Sequence, residues 1–178
     1  MIKKVILAGF GGQGILMMGV TLANAAMRED KFVTYLPTYG AEVRGGTANC
    51  TVSIGDEEIA SPIASNPDYL VVMNAPSLNK FQSILRKGGD CLVNTSLVRD
   101  KSVRKDVNVY EIAASEMAED MGDIRATNMI VLGSFLKISD MVEPDTVLGI
   151  IAETFRGKNP KVIERNKEAL WAGYRFFS

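Results

Sequence analysis

The chain has 178 residues, 47% hydrophobic and 23% charged, which suits a globular protein with one sizeable core. Its 20 basic and 21 acidic residues leave a formal net charge of −1, so there is no electrostatic footprint for nucleic acid or for an anionic membrane. Histidine is absent, which excludes a Ser-His-Asp triad, a Cys-His pair and any histidine metal ligand.

The first segment, MIKKVILAGFGG, is basic and then apolar. Its apolar run is short, has no small-residue cleavage site and breaks into glycines, so it reads as a first strand of a cytoplasmic protein, not as a signal peptide. No other run is long and apolar enough to span a bilayer. Residues 2 to 8 end in a continuous apolar stretch, the pattern of a strand buried on both faces. GFGGQG follows at 9 to 14, and Ile15 to Arg28 repeats apolar residues at helical spacing through Leu16, Val20, Ala23 and Met27. Phe32 to Leu36 is the second strand, completing a βαβ unit.

TYGAEVRGG, 38 to 46, is too rich in glycine for a crossover helix and reads as an ordered loop. Ala48 to Ile54 alternates in the manner of a half-exposed strand. Gly55-Asp56 is placed to turn it back into Glu58–Ala60, which predicts an antiparallel hairpin at the sheet edge, its return bracketed by Pro62 and Pro67. Tyr69 to Met73 is a buried strand, Ser77 to Arg86 a helix stopped by Gly88-Gly89, and Cys91 to Val93 and Val107 to Tyr110 are short strands. A helical section follows: Ile112 to Glu119, the almost wholly apolar Thr127 to Ile138, Pro144 to Phe155, and a last helix capped by Asn159 and begun by Pro160. No linker or repeat interrupts the chain, so residues 1–178 read as one domain. The fold class is α/β, Rossmann-like, with a mainly parallel sheet, an inserted antiparallel hairpin, helices on both faces and a helical C-terminal section.

In such sheets ligands bind beyond the carboxyl ends of the strands, where Gly9–Gly14, Pro37–Thr47, Asn74–Ser77 and Asn94–Ser96 should gather. GFGGQG suits a tight turn at Gly9, close approach of a ligand at Gly11 and close helix packing at Gly14, with helix N–H groups favouring an anion. An NAD site also needs an acidic residue at the end of the second strand, about 20 residues on. That strand ends Tyr-Leu-Pro-Thr, and Glu29 and Asp30 come too early. The second loop, Tyr39-Gly-Ala-Glu-Val-Arg-Gly-Gly-Thr47, offers Arg44 for a phosphate or carboxylate and Glu42 to hold Arg44 in place. The candidate ligand-binding residues are therefore Gly9, Gly11, Gly12, Gln13, Gly14, Tyr39, Glu42, Arg44, Gly45, Gly46 and Thr47; none is assigned a catalytic or metal-binding role. Asn74 and Asn128 suit either a ligand or a structural amide. Cys50 and Cys91, with no C-x-x-C, exclude the usual iron–sulfur and zinc spacings and read as small buried hydrophobes.

GFGGQGI, YGAEVRGGTANC, the IASP after the predicted hairpin and ATNMIVLG occur in one order that resembles the gamma subunit, or gamma domain, of the 2-oxoacid:ferredoxin oxidoreductases. The likeness runs from residue 5 to about residue 175, and RGGTANC is most like the 2-oxoglutarate and branched-chain enzymes. The family more often carries proline where this chain has Ala41. The resemblance implies a cytoplasmic, multi-subunit enzyme of anaerobic metabolism that converts a 2-oxoacid and coenzyme A to acyl-CoA and CO2, with 2-oxoglutarate as the expected substrate and ferredoxin or a similar acceptor taking the electrons. It implies alpha and beta partners, and a delta subunit, that carry thiamine diphosphate, Mg and iron–sulfur clusters. The gamma chain binds none of these alone, borders the active site, and assists access of coenzyme A as co-substrate. No nucleic acid or membrane partner is implied. Two alternatives stand beside this reading: a self-sufficient nucleotide-binding oxidoreductase, and a non-enzymatic interaction module whose glycines serve only packing.

Overall fold

The computed structural model describes residues 1–39, 47–99 and 104–178. Six strands form one sheet in the order β2-β3-β1-β4-β5-β6. They are β1 (Lys3–Phe10), β2 (Phe32–Tyr39), β3 (Thr47–Gly55), β4 (Tyr69–Val72), β5 (Asp90–Asn94) and β6 (Asn108–Ile112). The helices are α1 (Ile15–Arg28), α2 (Ala75–Phe81), α3 (Ala114–Asp120), α4 (Thr127–Ser139), α5 (Pro144–Thr154) and α6 (Pro160–Phe176). β1, β4, β5 and β6 are mutually parallel neighbours. This is the expected α/β class with a mostly parallel sheet.

The strand period of two sorts the apolar residues into two cores. Val5 and Leu7 of β1, Tyr69 and Val71 of β4 and Leu92 of β5 face one side, where α1, α3, α4, α5 and α6 bury residues such as Met18, Leu22, Phe135 and Leu170. Ile6, Ala8, Leu70, Val72, Cys91 and Val93 face the other side, beneath Leu78 of α2.

The predicted hairpin forms differently. β3 does not fold back on Glu58–Ala60, which are not strand. It runs antiparallel to β1, from Lys3 opposite Ile54 to Phe10 opposite Thr47, and antiparallel to β2, from Phe32 opposite Gly55 to Tyr39 opposite Ala48. Its hairpin partner is thus the preceding strand. β3 is also wedged between β1 and β2, so the strands of the first βαβ unit are not direct neighbours. Both faces of β3 are covered: Asn49, Thr51 and Ser53 are buried along with Cys50, Val52 and Ile54, and the half-exposed expectation fails. The stretch after β3 is held across the sheet by Lys4, whose Nζ donates to Ser61 O at 3.0 Å and Ile63 O at 2.7 Å. Pro37 lies inside β2, a place open to it because β2 is an edge strand and one side needs no N–H donor. The helix expected over 77–86 starts earlier, at Ala75, because Asn74 Oδ1 accepts from Ser77 N at 2.8 Å; a 3₁₀ turn over Gln82–Ile84 continues it.

α4 is buried nearly all round and packs along α6 with their backbones in contact. A Cβ on Gly133 would overlap the carbonyl of Leu170, and one on Gly173 would overlap the carbonyl of Ile130. Ser134 Oγ locks the crossing by donating to Gly173 O at 3.1 Å. Gly133→Ala should therefore cost about 3 kcal/mol through overpacking, lowering Tm by roughly 6–12 °C in thermal denaturation. A loss below about 1 kcal/mol would show that the two backbones do not meet this closely.

Candidate functional site

The ends of β1, β2, β4, β5 and β6 and the start of β3 lie at one edge of the sheet. The glycine loop leaves β1 there. Gln13 folds back over it: its Oε1 accepts from Phe10 N at 2.6 Å and its Nε2 donates to Met73 O at 3.4 Å. That fold explains Gly9, where a Cβ would stand 2.6 Å from Gln13 Oε1 and 2.9 Å from Met73 Cβ. Gly12 and Gly14 have φ of 95° and 76°, in the left-handed region. Gly14 is doubly constrained, because a Cβ there would also run into the amide of Asn128 at the start of α4.

Gly14 is the N-cap of α1 and has no side chain to cap it. The first intrahelical bond runs from Met18 N to Gly14 O at 3.0 Å, so the amides of Ile15, Leu16 and Met17 have no intrahelical acceptor. They form the donor end of the helix dipole expected from the sequence. Two other strand ends are occupied by structural asparagines. Asn74 caps α2 through Oδ1, while its buried Nδ2 has no partner among the described residues. Asn94 Oδ1 accepts from Ala114 N at 3.1 Å and its Nδ2 donates to Ser115 Oγ at 2.9 Å, which seats α3 on β5.

Beside the loop opens a cavity of about 670 Å³, walled by Gly12–Gly14 and Met17 on one side and by the helical section on the other. Its polar rim centres on Asp123. That carboxylate takes Arg125 in a bidentate grip, Nε to Oδ1 at 2.8 Å and Nη2 to Oδ2 at 2.9 Å, and also accepts from Arg165 Nη1 at 3.0 Å. It thereby ties the 3₁₀ turn before α4 to α6. The Arg125 hydrogen bond, with Arg165 adding to it, holds the Asp123 carboxyl far below the usual carboxylate range against the opposing effect of burial.

Of the residues singled out from sequence, the structure brings Gly9, Gly11, Gly12, Gln13, Gly14 and Thr47 to the same edge, with Thr47 exposed opposite Phe10. Tyr39 ends β2 at that edge. Glu42, Arg44, Gly45 and Gly46 lie outside the described residues. The sequence reading misses Asp123, Arg125, Arg165 and Asn166, which reach the edge only because α4 and α6 return to it; no spacing in the chain marks them. The NAD reading gains no support, since Glu29 is engaged at the far end of α1 by Lys31 Nζ at 2.8 Å and Glu143 N at 2.8 Å.

Cys50 and Cys91 belong to opposite cores, and burial pushes both thiols up to about 12. No group of three His, Cys, Asp or Glu among the described residues is placed to hold a metal. Cys50 and Cys91, in opposite cores, are not placed to share a cluster. No helix among the described residues is long and apolar enough to cross a membrane.

The depressed Asp123 value has a direct consequence. The clamp contributes its full stability above the unfolded carboxylate pKa and loses it only as pH falls through the lowered folded value. A carboxyl-carbon NMR titration should find Asp123 still ionised at about pH 3, below the ordinary aspartate value; a midpoint near the ordinary value would show that the clamp is not formed.

With this geometry in view, comparison with known proteins is informative. The model of the pyruvate ferredoxin/flavodoxin oxidoreductase family matches residues 4–176. Ketoisovalerate oxidoreductase subunit VorA of Methanothermobacter marburgensis is 39% identical over 171 residues, 96% of this chain but 35% of that one. The chain thus spans about a third of that relative's length. The 2-oxoglutarate synthase subunit KorC of Methanocaldococcus jannaschii is 33% identical over 97% of this chain and 92% of its own. Among solved structures, the gamma subunit of a keto/oxoacid ferredoxin oxidoreductase from Geobacter sulfurreducens superposes with a TM-score of 0.83 at 24% identity, over 97% of this chain and 96% of that one. A 2-oxoglutarate:ferredoxin oxidoreductase from Magnetococcus marinus, with 2-oxoglutarate, coenzyme A and succinyl-CoA bound, superposes with a TM-score of 0.91 at 24% identity, over 98% of this chain and 30% of that one. The match across nearly the whole chain settles the family: the protein belongs to the pyruvate ferredoxin/flavodoxin oxidoreductases and has the fold of their gamma subunits.

Proposed function

We propose that this chain is the gamma subunit, a single domain over residues 1–178, of a cytoplasmic 2-oxoacid:ferredoxin oxidoreductase, and that its glycine-loop edge borders the path of coenzyme A. The observation that carries the reading is the family match over residues 4–176, joined to a sheet edge that offers uncapped helix amides beside a cavity. The complete reaction joins a 2-oxoacid and coenzyme A to give acyl-CoA and CO2, with electrons passing to ferredoxin. The relatives named above act on ketoisovalerate and on 2-oxoglutarate, and we take these as the two substrate classes to test.

Thiamine diphosphate, Mg and iron–sulfur clusters, carried by alpha, beta and delta subunits, would supply carbon–carbon cleavage and one-electron removal. This chain has no histidine, and its two thiols are inert by burial, so its part is binding and orientation. The α1 amides suit an anionic or carbonyl oxygen. Arg44 is by residue type suited to a phosphate, with Glu42 as its proposed partner and Tyr39 and Thr47 as further proposed donors. The open side of Gly12 leaves the backbone of the first loop accessible to a ligand. A self-sufficient nucleotide-dependent enzyme is not favoured, since β2 ends in Thr38-Tyr39 with no acid to hold a ribose.

Affinity purification of the tagged chain from its source cell tests the assignment. Recovery of thiamine diphosphate and iron–sulfur subunits is expected, and a lone homodimer would refute it. In the assembled complex, Arg44→Ala should raise the KM for coenzyme A about tenfold or more, as loss of a charge-assisted contact does, with little change for the oxoacid. An unchanged KM would remove Arg44 from the role. Activity against a panel of branched-chain 2-oxoacids and 2-oxoglutarate then assigns the substrate.

A further inference from the structure

We infer that Met17 is a modification site: a peroxide converts its thioether to a sulfoxide whose oxygen is taken up by Asn128, so that the joint between α1 and α4 works as a redox-sensitive latch. Both residues belong to this chain, and the site holds with or without the subunit assignment.

The starting contact is a poor one. Asn128 is the second residue of α4 and is 5% exposed. Its Nδ2 donates to the sulfur of Met17 at 3.8 Å, the one acceptor it has among the described residues. A thioether is a weak acceptor, so a buried amide donor is left short of a full partner. The pair cannot drift apart to find a better one. Gly14 presses on the same amide, α4 is buried nearly all round, and Met17 sits in the first turn of α1, which that glycine begins.

The sulfur can be reached. Met17 is 38% exposed and lines the cavity of about 670 Å³ beside the glycine loop, many times the volume of a water-sized oxidant. Met18, Met73 and Met129 are shut in the core and do not compete. Met1 and Met27 are more exposed than Met17, but neither has a side-chain donor on its sulfur among the described residues. The donor, and not exposure alone, singles out Met17.

The chemistry balances with a peroxide as oxidant. A sulfur lone pair attacks one peroxide oxygen, and the O–O bond breaks as the S–O bond forms. The other oxygen leaves and takes up the proton, as water when the oxidant is hydrogen peroxide. Sulfur is oxidised, and the peroxide reduced, by two electrons. The product is polar and chiral, and methionine sulfoxide reductases reverse it. Its oxygen is a far better acceptor than the thioether. With sulfur and nitrogen 3.8 Å apart, an oxygen turned toward Asn128 can come within the roughly 2.7–3.2 Å of a normal N–H···O bond. The added bond ties α1 to α4 and places a dipole on a wall that Met17 shares with Leu97, Ile124 and Val162.

Treatment of the full chain with hydrogen peroxide, read by peptide mass spectrometry and ¹H–¹⁵N NMR, tests this. Met17 should gain one oxygen while the chain stays folded. As it does, one Asn128 Nδ2 proton should move downfield and exchange with solvent about fivefold more slowly, the worth of one added hydrogen bond. Methionine sulfoxide reductase should restore both signals. Met17→Leu keeps the apolar volume and is the control: its Met27 should oxidise as before, while peroxide leaves its Asn128 signals in place. A Met17 that stays reduced when Met27 is fully oxidised would overturn the proposal. So would a Met17 sulfoxide that leaves the Asn128 protons unmoved, or a peroxide-induced Asn128 shift that survives in Met17→Leu.

Discussion

One contact organises this molecule: Gly14, at φ 76°, pressed against the amide of Asn128 with no room for a Cβ between them. It joins the β1–loop–α1 unit to the start of α4. α4 is in turn fixed on α6 by the backbone contact at Gly133 and Gly173. A chain of close approaches therefore runs from the sheet edge to the last helix. Each link uses glycine where any side chain would hold the elements apart, and the cavity is the space these links enclose. Its geometry is set by the fold's tightest packing, which is how a binding constellation is kept in position.

The same arrangement explains the chemical character of the edge. The strand-end asparagines Asn74 and Asn94 hold helices, Gln13 holds its own loop, and Asp123 holds two arginines. The thiols face opposite cores, away from solvent. Donors left open among the described residues include the first backbone amides of α1 and the Nδ2 of Asn74. Such a surface can bind and orient, and its two thiols are withdrawn into the cores. An edge of this kind is suited to border a reaction whose reactive groups belong to other chains.

Much of the fold is legible in the sequence. The βαβ start, the burial of α4 and the Asn159-Pro160 start of α6 follow from apolar period and capping chemistry, which act locally. β3 shows where local reasoning stops. Its alternation is real, but its polar face is buried as well as its apolar one, and no local pattern says what will cover a face. Gly55-Asp56 has the composition of a turn, yet β3 pairs backward with β2 along its whole length. Half of the candidate site is likewise visible, because GFGGQG carries its mechanism within six residues. Asp123, Arg125 and Arg165 are ordinary surface charges in the sequence, and they become a clamp only when α6 packs against the turn before α4. Gly133 and Gly173 are similar: each reads as a weak helix position until the other is placed opposite it.

The central claim is that this edge faces an active site completed by other chains. Photo-cross-linking in the purified complex tests it most directly, with a photoreactive phenylalanine at Leu97, on the cavity wall, and as a control at Lys87, beyond the opposite ends of the strands. The account predicts that Leu97 cross-links to a thiamine diphosphate-binding subunit and that Lys87 does not. Cross-links to that subunit from Lys87 alone, or from neither position, would contradict it.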